Sequence, residues 1–268
     1  MRLNVLWALA SLAVLPSVGA RAPLLDGYVV TQRITSSDSN EPITMRIKVA
    51  QGRVRVELDS PQMAQMGGMH MLLRDDGRLT AVMAQAGMAI IMDASMLGSA
   101  QGMITGQGAA PEMSDFSATV DDLGAGERIV GYATHKYRVH TTYTMTSARG
   151  GATKYDATIE ASMATDVPGL ADGLQKVAAM FSTAFGASAG GKSKAVSDAV
   201  AAKMPKGYAL KSVVKSVETS PSGQAKTTTA TIEVTEVSKV TFEAAEFEVP
   251  AGMQVMDIGQ MMRGRGGR

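Results

Sequence analysis

Hydrophobic and polar residues alternate strictly along ITMRIKVAQGRVRVELD, residues 43 to 59. The apolar positions are Ile43, Met45, Ile47, Val49, Val54, Val56 and Leu58. The positions between them are mostly charged, and Gln51 and Gly52 separate the two runs. A period of two on both sides of a short polar turn predicts a β-hairpin with one dry face and one wet face.

Similar patterns predict ten further strands, separated by turn signals such as DDG at 75–77 and SPSG at 220–223. The predicted strands are 27–35, 69–74, 78–84, 87–92, 117–121, 127–145, 153–164, 207–218, 226–238 and 240–249. The stretch 95–114 is rich in Gly, Met and Ala and predicts a loop or a short helix. Short strands joined by tight turns are typical of an antiparallel meander.

Two segments have helical periodicity instead. After Asp166 and Pro168, apolar residues that include Leu174 and Phe181 recur at helical spacing, and a second such run follows Ser193. Both predicted helices are amphipathic, so each needs an apolar partner, and the dry face of the sheet can supply it. We therefore predict a mainly β (α+β) protein with one domain at 21–262, a helical insertion at about 168–204, and a disordered tail at 263–268.

The first twenty residues, MRLNVLWALASLAVLPSVGA, predict a secretory signal peptide that is cleaved after Ala20. Their apolar run is too short to span a membrane, and no later run is long enough. Removal of Arg2 takes the formal charge from +1 to 0, which gives the chain no electrostatic preference for nucleic acid. The absence of Cys excludes disulfides and thiolate chemistry. We expect a secreted, periplasmic protein without an integral membrane segment after signal cleavage.

Motifs for catalysis are weak. GASAGGKS at 186–193 matches the P-loop pattern, but a predicted helix precedes it where a phosphate-binding loop needs a strand, so we interpret it as a linker. His135 and His140 are five positions apart on a predicted strand and therefore face opposite sides, which prevents chelation of one metal by a regular strand. We expect no enzymatic activity and no cofactor.

Methionine is the most informative residue type. Cu(I) is a soft ion, and the segment MAQMGGMHM offers it Met63, Met66, Met69, His70 and Met71. Methionine is also enriched well beyond this segment, as at Met83, Met88 and Met92. Dispersed Met residues fit plain packing, or a deformable surface that adapts to hydrophobic ligands. The sequence leaves these three interpretations open.

Three stretches carry a family resemblance: MRIKVAQGRVRVEL, GERIVGYATHKYRV and FEVPAGMQV. They resemble the opening hairpin, the central strand and the closing signature of an exported bacterial family, domain of unknown function 4412. That family is similar in fold to the lipoprotein carrier LolA and the receptor LolB. The resemblance implies a curled antiparallel sheet, an incomplete barrel, with helices covering a concave face that can hold acyl chains. No catalytic residues come with it, and the long N-terminal helix of the carrier has no counterpart here.

Together these observations predict a periplasmic binding or carrier protein for a lipid, a lipoprotein acyl chain or another hydrophobic ligand. The predicted ligand-binding residues are Ile43, Met45, Ile47, Val54, Val56, Leu58, Leu174 and Phe181. The alternatives are a Met-rich Cu(I)-binding protein and a non-catalytic module that binds an envelope protein through an exposed strand edge.

Overall fold

A computed structural model of the chain describes residues 23–59, 68–74, 76–93, 112–146, 151–167 and 207–260. These residues form one open, curled sheet of twelve strands. The strands are β1 (Leu24–Ser36), β2 (Ser39–Ala50), β3 (Arg53–Asp59), β4 (Met69–Leu73), β5 (Leu79–Met83), β6 (Met88–Met92), β7 (Glu112–Ala125), β8 (His135–Thr146), β9 (Ala152–Ala164), β10 (Tyr208–Thr219), β11 (Ala225–Glu243) and β12 (Gln254–Asp257). The mainly β fold is confirmed, whereas the predicted helical insertion at about 168–204 lies outside the described residues.

The order across the sheet is β12-β6-β5-β4-β3-β2-β1-β11-β10-β9-β8-β7. Two antiparallel meanders, β2 to β6 and β7 to β11, therefore flank β1, which pairs with β2 on one side and with β11 on the other. β12 pairs in parallel with β6. The chain reaches it through a 3₁₀ turn at Ala244–Phe247 and the residues that follow, and we call 244–253 the C-terminal crossover.

The predicted hairpin forms as β2 and β3. Met45 lies opposite Leu58, Ile47 opposite Val56, and Val49 opposite Val54. Gln51 and Gly52 adopt positive φ angles of 47° and 79°, as the tight primed turns of hairpins require. Because directly opposed residues project to the same side of a sheet, the predicted dry face is real.

The main hydrophobic core lies on the side of the sheet that carries these apolar residues, and we call this side the apolar face. The core consists of Val30, Ile47, Val49, Val54, Val56, Ile129, Ala164, Val167, Leu210 and Val234. Ile129 and Val167 belong to connecting segments and pack against the strands. Gln32 is buried beside this core and donates a hydrogen bond to the hydroxyl of Tyr208, which satisfies its polar group.

Two smaller clusters lie on the opposite face, beneath the C-terminal crossover. Phe242 and Phe247 pack edge to face in one of them, with ring centroids 5.3 Å apart. In the other, Val249 and Met253 pack against a buried group formed by Leu72, Val82 and Ala89. The buried side of the sheet therefore changes: the apolar face is sealed at β1–β3, and the opposite face is covered at β4–β6.

Several predicted boundaries were wrong. The segment 127–145 is not one strand, because positive φ angles at Val130 and Gly131 place a tight turn between Ile129 and Tyr132, and β8 begins only at His135. The predicted strands 226–238 and 240–249 are instead one strand of 19 residues, β11, followed by the 3₁₀ turn. Local alternation does not reveal that β1 pairs with residues 230–243 of this strand, across the predicted break at 239.

The end of the predicted loop 95–114 belongs to β7, which starts at Glu112, and β12 was not predicted. The predicted signal peptide at 1–20 and the tail at 263–268 lie outside the described residues. Within the described ranges, no helix combines the length and the hydropathy that crossing a membrane requires.

Candidate functional site

Within strands β4–β6 and β12, every methionine lies on the same side of the sheet. These four strands contain Met69, Met71, Met83, Met88, Met92 and Met256. The strand pairings place all six side chains on the apolar face, because Met69 opposes Met83, Met83 opposes Met88, and the others follow at alternate positions. We call these six residues the methionine patch. The opposite face of the same strands carries no methionine.

Burial differs between the two faces of these strands, although Leu79 on the apolar face is only 2% exposed. All six residues of the methionine patch are half-buried. On the opposite face, Val82 and Ala89 are fully buried and Leu72 is nearly so. The C-terminal crossover explains this difference, since Val249 and Met253 cover that face. The methionine patch is thus a half-exposed apolar surface, and its Met71 packs against the main hydrophobic core.

The predicted ligand-binding residues divide into two groups. Ile47, Val54 and Val56 are 1%, 1% and 3% exposed and belong to the sealed core. Ile43, Met45 and Leu58 lie on the same face but remain half-buried, nearer the far end of the hairpin. Leu174 and Phe181 lie outside the described residues. The structure therefore makes half of the predicted hairpin residues accessible and encloses the other half.

The predicted copper ligands do not all converge. Met69, His70 and Met71 are successive residues of β4, so Met69 and Met71 project to the apolar face and His70 to the opposite one. Met63 and Met66 lie outside the described residues. His70 therefore cannot share an ion with Met69 and Met71 on this regular strand. The sequence MHM already indicates this, because successive residues of a strand project to opposite faces.

His70 lies beside a group of charged residues on the opposite face. Glu57 pairs directly with it across β3 and β4, and Glu57 Oε1 lies 2.7 Å from Arg55 Nε and 3.3 Å from Lys48 Nζ. Lys48 Nζ also lies 3.1 Å from Glu246 Oε2 in the C-terminal crossover. These contacts tie the crossover to the hairpin.

Electrostatics keep His70 neutral. Burial, together with the nearby positive charges of Arg55 and Lys48, lowers the pKa of His70 from its ordinary value of 6.5 to about 4. Burial acts to raise the pKa of Glu57, but Arg55 and Lys48 outweigh it and hold that pKa below its usual value. The buried Nε2 of His70 has no hydrogen-bond partner within the described part of the chain. A neutral imidazole in this place fits a structural role.

Two cavities of about 450 Å³ lie on the opposite face, away from the methionine patch. One lies between the strands and the crossover, where Arg53, Arg74, Leu72 and Phe247 line it. Asp76 and Glu248 also line this cavity, so its two positive charges are balanced. The other cavity lies over the far ends of β8–β10, with polar walls that include Thr142 and Asp156. Charged side chains line the first cavity and polar side chains the second, whereas a pocket for a hydrophobic ligand is lined mainly by apolar and aromatic groups.

A row of aromatic rings crosses β7, β8 and β9. Tyr143 stacks on Tyr155 with centroids 4.9 Å apart and on Phe116 with centroids 6.4 Å apart. These rings therefore contact one another across the three strands.

His135 and His140 face opposite sides of β8, as predicted. Each has a side chain that is 43% exposed, and their Nε2 atoms lie near the carboxylates of Asp122 and Asp156, at 2.5 Å and 2.9 Å. In the part of the chain that the structure describes, no group of three or more His, Cys, Asp or Glu side chains could hold a metal ion.

The candidate site is therefore the methionine patch. Of the residues predicted to bind a hydrophobic ligand, Met45 and Leu58 lie beside this patch but do not belong to it. Met83, Met88, Met92 and Met256 were not among the predicted site residues, although the spacing of Met88 and Met92 in a predicted strand already places both on one face. Neither a family model nor a curated protein matches this chain.

Proposed function

We propose that the protein is an exported binding or carrier protein for a hydrophobic ligand, such as a lipid or a lipoprotein acyl chain, and that the methionine patch contacts this ligand. The supporting observation is that all six methionines of β4–β6 and β12 lie on one half-exposed face. Within these four strands methionine is absent from the buried opposite face, although Met253 of the C-terminal crossover packs against that face.

The chemistry of methionine suits a surface that receives ligands of different shape. Its side chain is unbranched and polarizable, so it can repack around an acyl chain with little steric cost. Half-buried Met45 and Leu58 lie on the same face at β2 and β3 and extend the surface toward the hairpin. Burial of about ten ligand methylenes would contribute roughly 8 kcal/mol before the costs of association. That magnitude gives the modest affinity that a carrier needs for release.

The ligand itself can be sought directly. The protein, expressed in a bacterial host and exported to the periplasm, would be purified without detergent and examined by native mass spectrometry and by organic extraction. We expect a co-purifying hydrophobic molecule of substoichiometric or full occupancy. A protein that is repeatedly free of ligand, and that also fails to bind a fluorescent apolar probe such as phenylnaphthylamine, would contradict the proposal.

Paired substitutions test whether the methionine patch is the binding surface. Met71→Gln with Met83→Gln keeps the side-chain length but adds polar groups, and we expect about tenfold weaker probe binding, or about 1.4 kcal/mol. Met71→Leu with Met83→Leu retains the apolar surface and should bind within about threefold of the wild type. Val255→Gln is the control, because Val255 is 53% exposed on the opposite face of β12. Unchanged probe binding in Met71→Gln with Met83→Gln would show that the probe binds elsewhere.

Recruitment of an envelope protein to a free strand edge has less support. β7 forms one edge of the sheet, but its pairing with β8 is interrupted by two bulges. Asp115 adopts a φ of 53° at the first bulge, and Asp121 and Asp122 place negative charge near the second. Bulges and charges of this kind protect an edge from pairing with further strands.

A further inference from the structure

Three residues of the methionine patch form a row perpendicular to the strands. Met69 of β4 lies directly opposite Met83 of β5, which lies directly opposite Met88 of β6. All three side chains are half-buried and lie on the apolar face. In the sequence they are 14 and 5 residues apart, so only the strand pairing brings them together.

The spacing of this row suits a shared ion. Neighbouring strands are about 4.8 Å apart, which places the outer two Cβ atoms about 10 Å from each other with Met83 between them. Each methionine has three rotatable bonds and can therefore bring its sulfur toward a point above the central strand. Met71, the next residue of β4 on this face, lies diagonally to Met83 and adds a fourth thioether within reach.

The surroundings select the kind of ion. Thioether sulfur is a soft, uncharged ligand that favours Cu(I) over Zn²⁺ or Ca²⁺. On the apolar face of β3–β6, in the described residues, the positions are occupied by apolar side chains and carry no Asp or Glu. The imidazole of His70, a nitrogen donor next to two of these methionines in the sequence, projects to the other side. A monovalent soft ion is also less costly than a divalent one on a half-exposed surface without a compensating carboxylate.

We propose that Met69, Met83 and Met88 form a thioether site for Cu(I). This site differs from the set expected from the sequence, since it includes strands β5 and β6 and excludes His70. It goes beyond the carrier function, because it depends on sulfur and not on apolarity. The two ideas can therefore be separated on the same residues: Leu in place of Met keeps the apolar surface but removes the ligand atom.

The test uses the full chain under anaerobic, reducing conditions, with Cu(I) in competition against a chromogenic Cu(I) chelator. We expect the wild type to remove Cu(I) from the chelator and X-ray absorption of the complex to show sulfur neighbours only. Replacement of Met69, Met83 and Met88 by Leu should weaken binding by about 100-fold, since it removes the three ligands. The single variant Met83→Leu, which conserves volume, should weaken it by about tenfold and guards against misfolding of the triple variant.

Two controls make the assignment specific. Met92→Leu with Met256→Leu removes two thioethers of the same face outside the row, and His70→Gln removes the imidazole; both should retain wild-type affinity. Binding of phenylnaphthylamine should survive in every Leu variant, so a loss of copper with retained probe binding isolates the metal site. The proposal is overturned if the wild type does not compete, if nitrogen is found around the ion, or if the triple variant retains Cu(I) while Met63→Leu with Met66→Leu loses it.

Discussion

At the residue scale, the alternation of side chains on β4 separates two environments within three residues. Met69 and Met71 face a half-exposed apolar surface, whereas His70 between them faces Glu57, Arg55 and the crossover. Because the strand period is two, this separation follows from the sequence alone. What the sequence did not reveal is that the imidazole would be partly desolvated beside two cations, since Lys48 and Arg55 reach it from neighbouring strands.

The lowered pKa of His70 predicts a pH dependence of stability. Between about pH 6.5 and pH 4 the unfolded chain binds a proton at His70 and the folded chain does not, so the free energy of unfolding falls as the pH falls through this window. Each pH unit corresponds to about 1.4 kcal/mol, and because His70 is half-exposed, screening reduces the total to about 1–2 kcal/mol. Urea unfolding of the wild type and of His70→Gln at pH 7 and pH 4 measures this loss in the free energy of unfolding.

The difference between these two proteins is the relevant quantity, because carboxylates titrate in both. We expect the stability of the wild type relative to His70→Gln to decline by that amount between pH 7 and pH 4. Parallel stability curves for the two proteins would show that His70 titrates normally in the folded state.

At the element scale, the C-terminal crossover decides which side of β4–β6 is buried. Its sequence, AAEFEVPAGM, alternates well enough to have been predicted as a continuing strand. The structure instead ends β11 at Glu243, turns at Ala244–Phe247 and places Val249 and Met253 on the opposite face. Phe247 contacts Phe242 and fixes the turn, and Arg55 donates a hydrogen bond of 3.0 Å to the carbonyl oxygen of Glu246.

Phe247→Ala should therefore destabilise the protein substantially. Phe247 is 9% exposed and packs against a second aromatic ring, so we expect a loss of about 3 kcal/mol in the free energy of unfolding. Val255→Ala, at a 53% exposed position on β12, should cost less than about 0.5 kcal/mol. Chemical denaturation of both variants measures these values. A small effect of Phe247→Ala would mean that the crossover is not anchored by this ring.

At the scale of the whole molecule, β1 joins the two antiparallel meanders into one sheet. This strand pairs with β2, its neighbour in the sequence, and with β11, about 200 residues away. Its backbone approaches β2 so closely that a Cβ at Gly27 would lie 2.1 Å from the carbonyl oxygen of Val49, which explains why glycine occupies this position. The sealed core also lies here, while β7 and β12 are edges.

Amide hydrogen exchange should reflect this arrangement. Backbone groups of β1, β2 and β11 are paired on both sides next to the sealed core, whereas β7 and β12 are paired on one side only. We expect exchange in residues 28–34 and 44–49 to be at least about tenfold slower than in 113–121 and 254–257. Mass spectrometry of peptides from these segments gives the rates. Equal protection at the centre and at the edges would contradict the inference that β1 and its two neighbouring strands are the most stable part of the sheet.

The sequence by itself determined the features that repeat locally. Alternation predicted the β2–β3 hairpin, the tight turn at Gln51 and Gly52 and most strands, because a strand's period of two depends only on its own residues. The same period separates Met69 and Met71 from His70, but the predicted copper site had grouped all three. Only the tertiary structure decided that Ile47 and Val56 are enclosed, that Met69, Met83 and Met88 form a row, and that the crossover covers the other side. These depend on which strands pair and on what covers each face, and contacts between residues far apart in the chain set both.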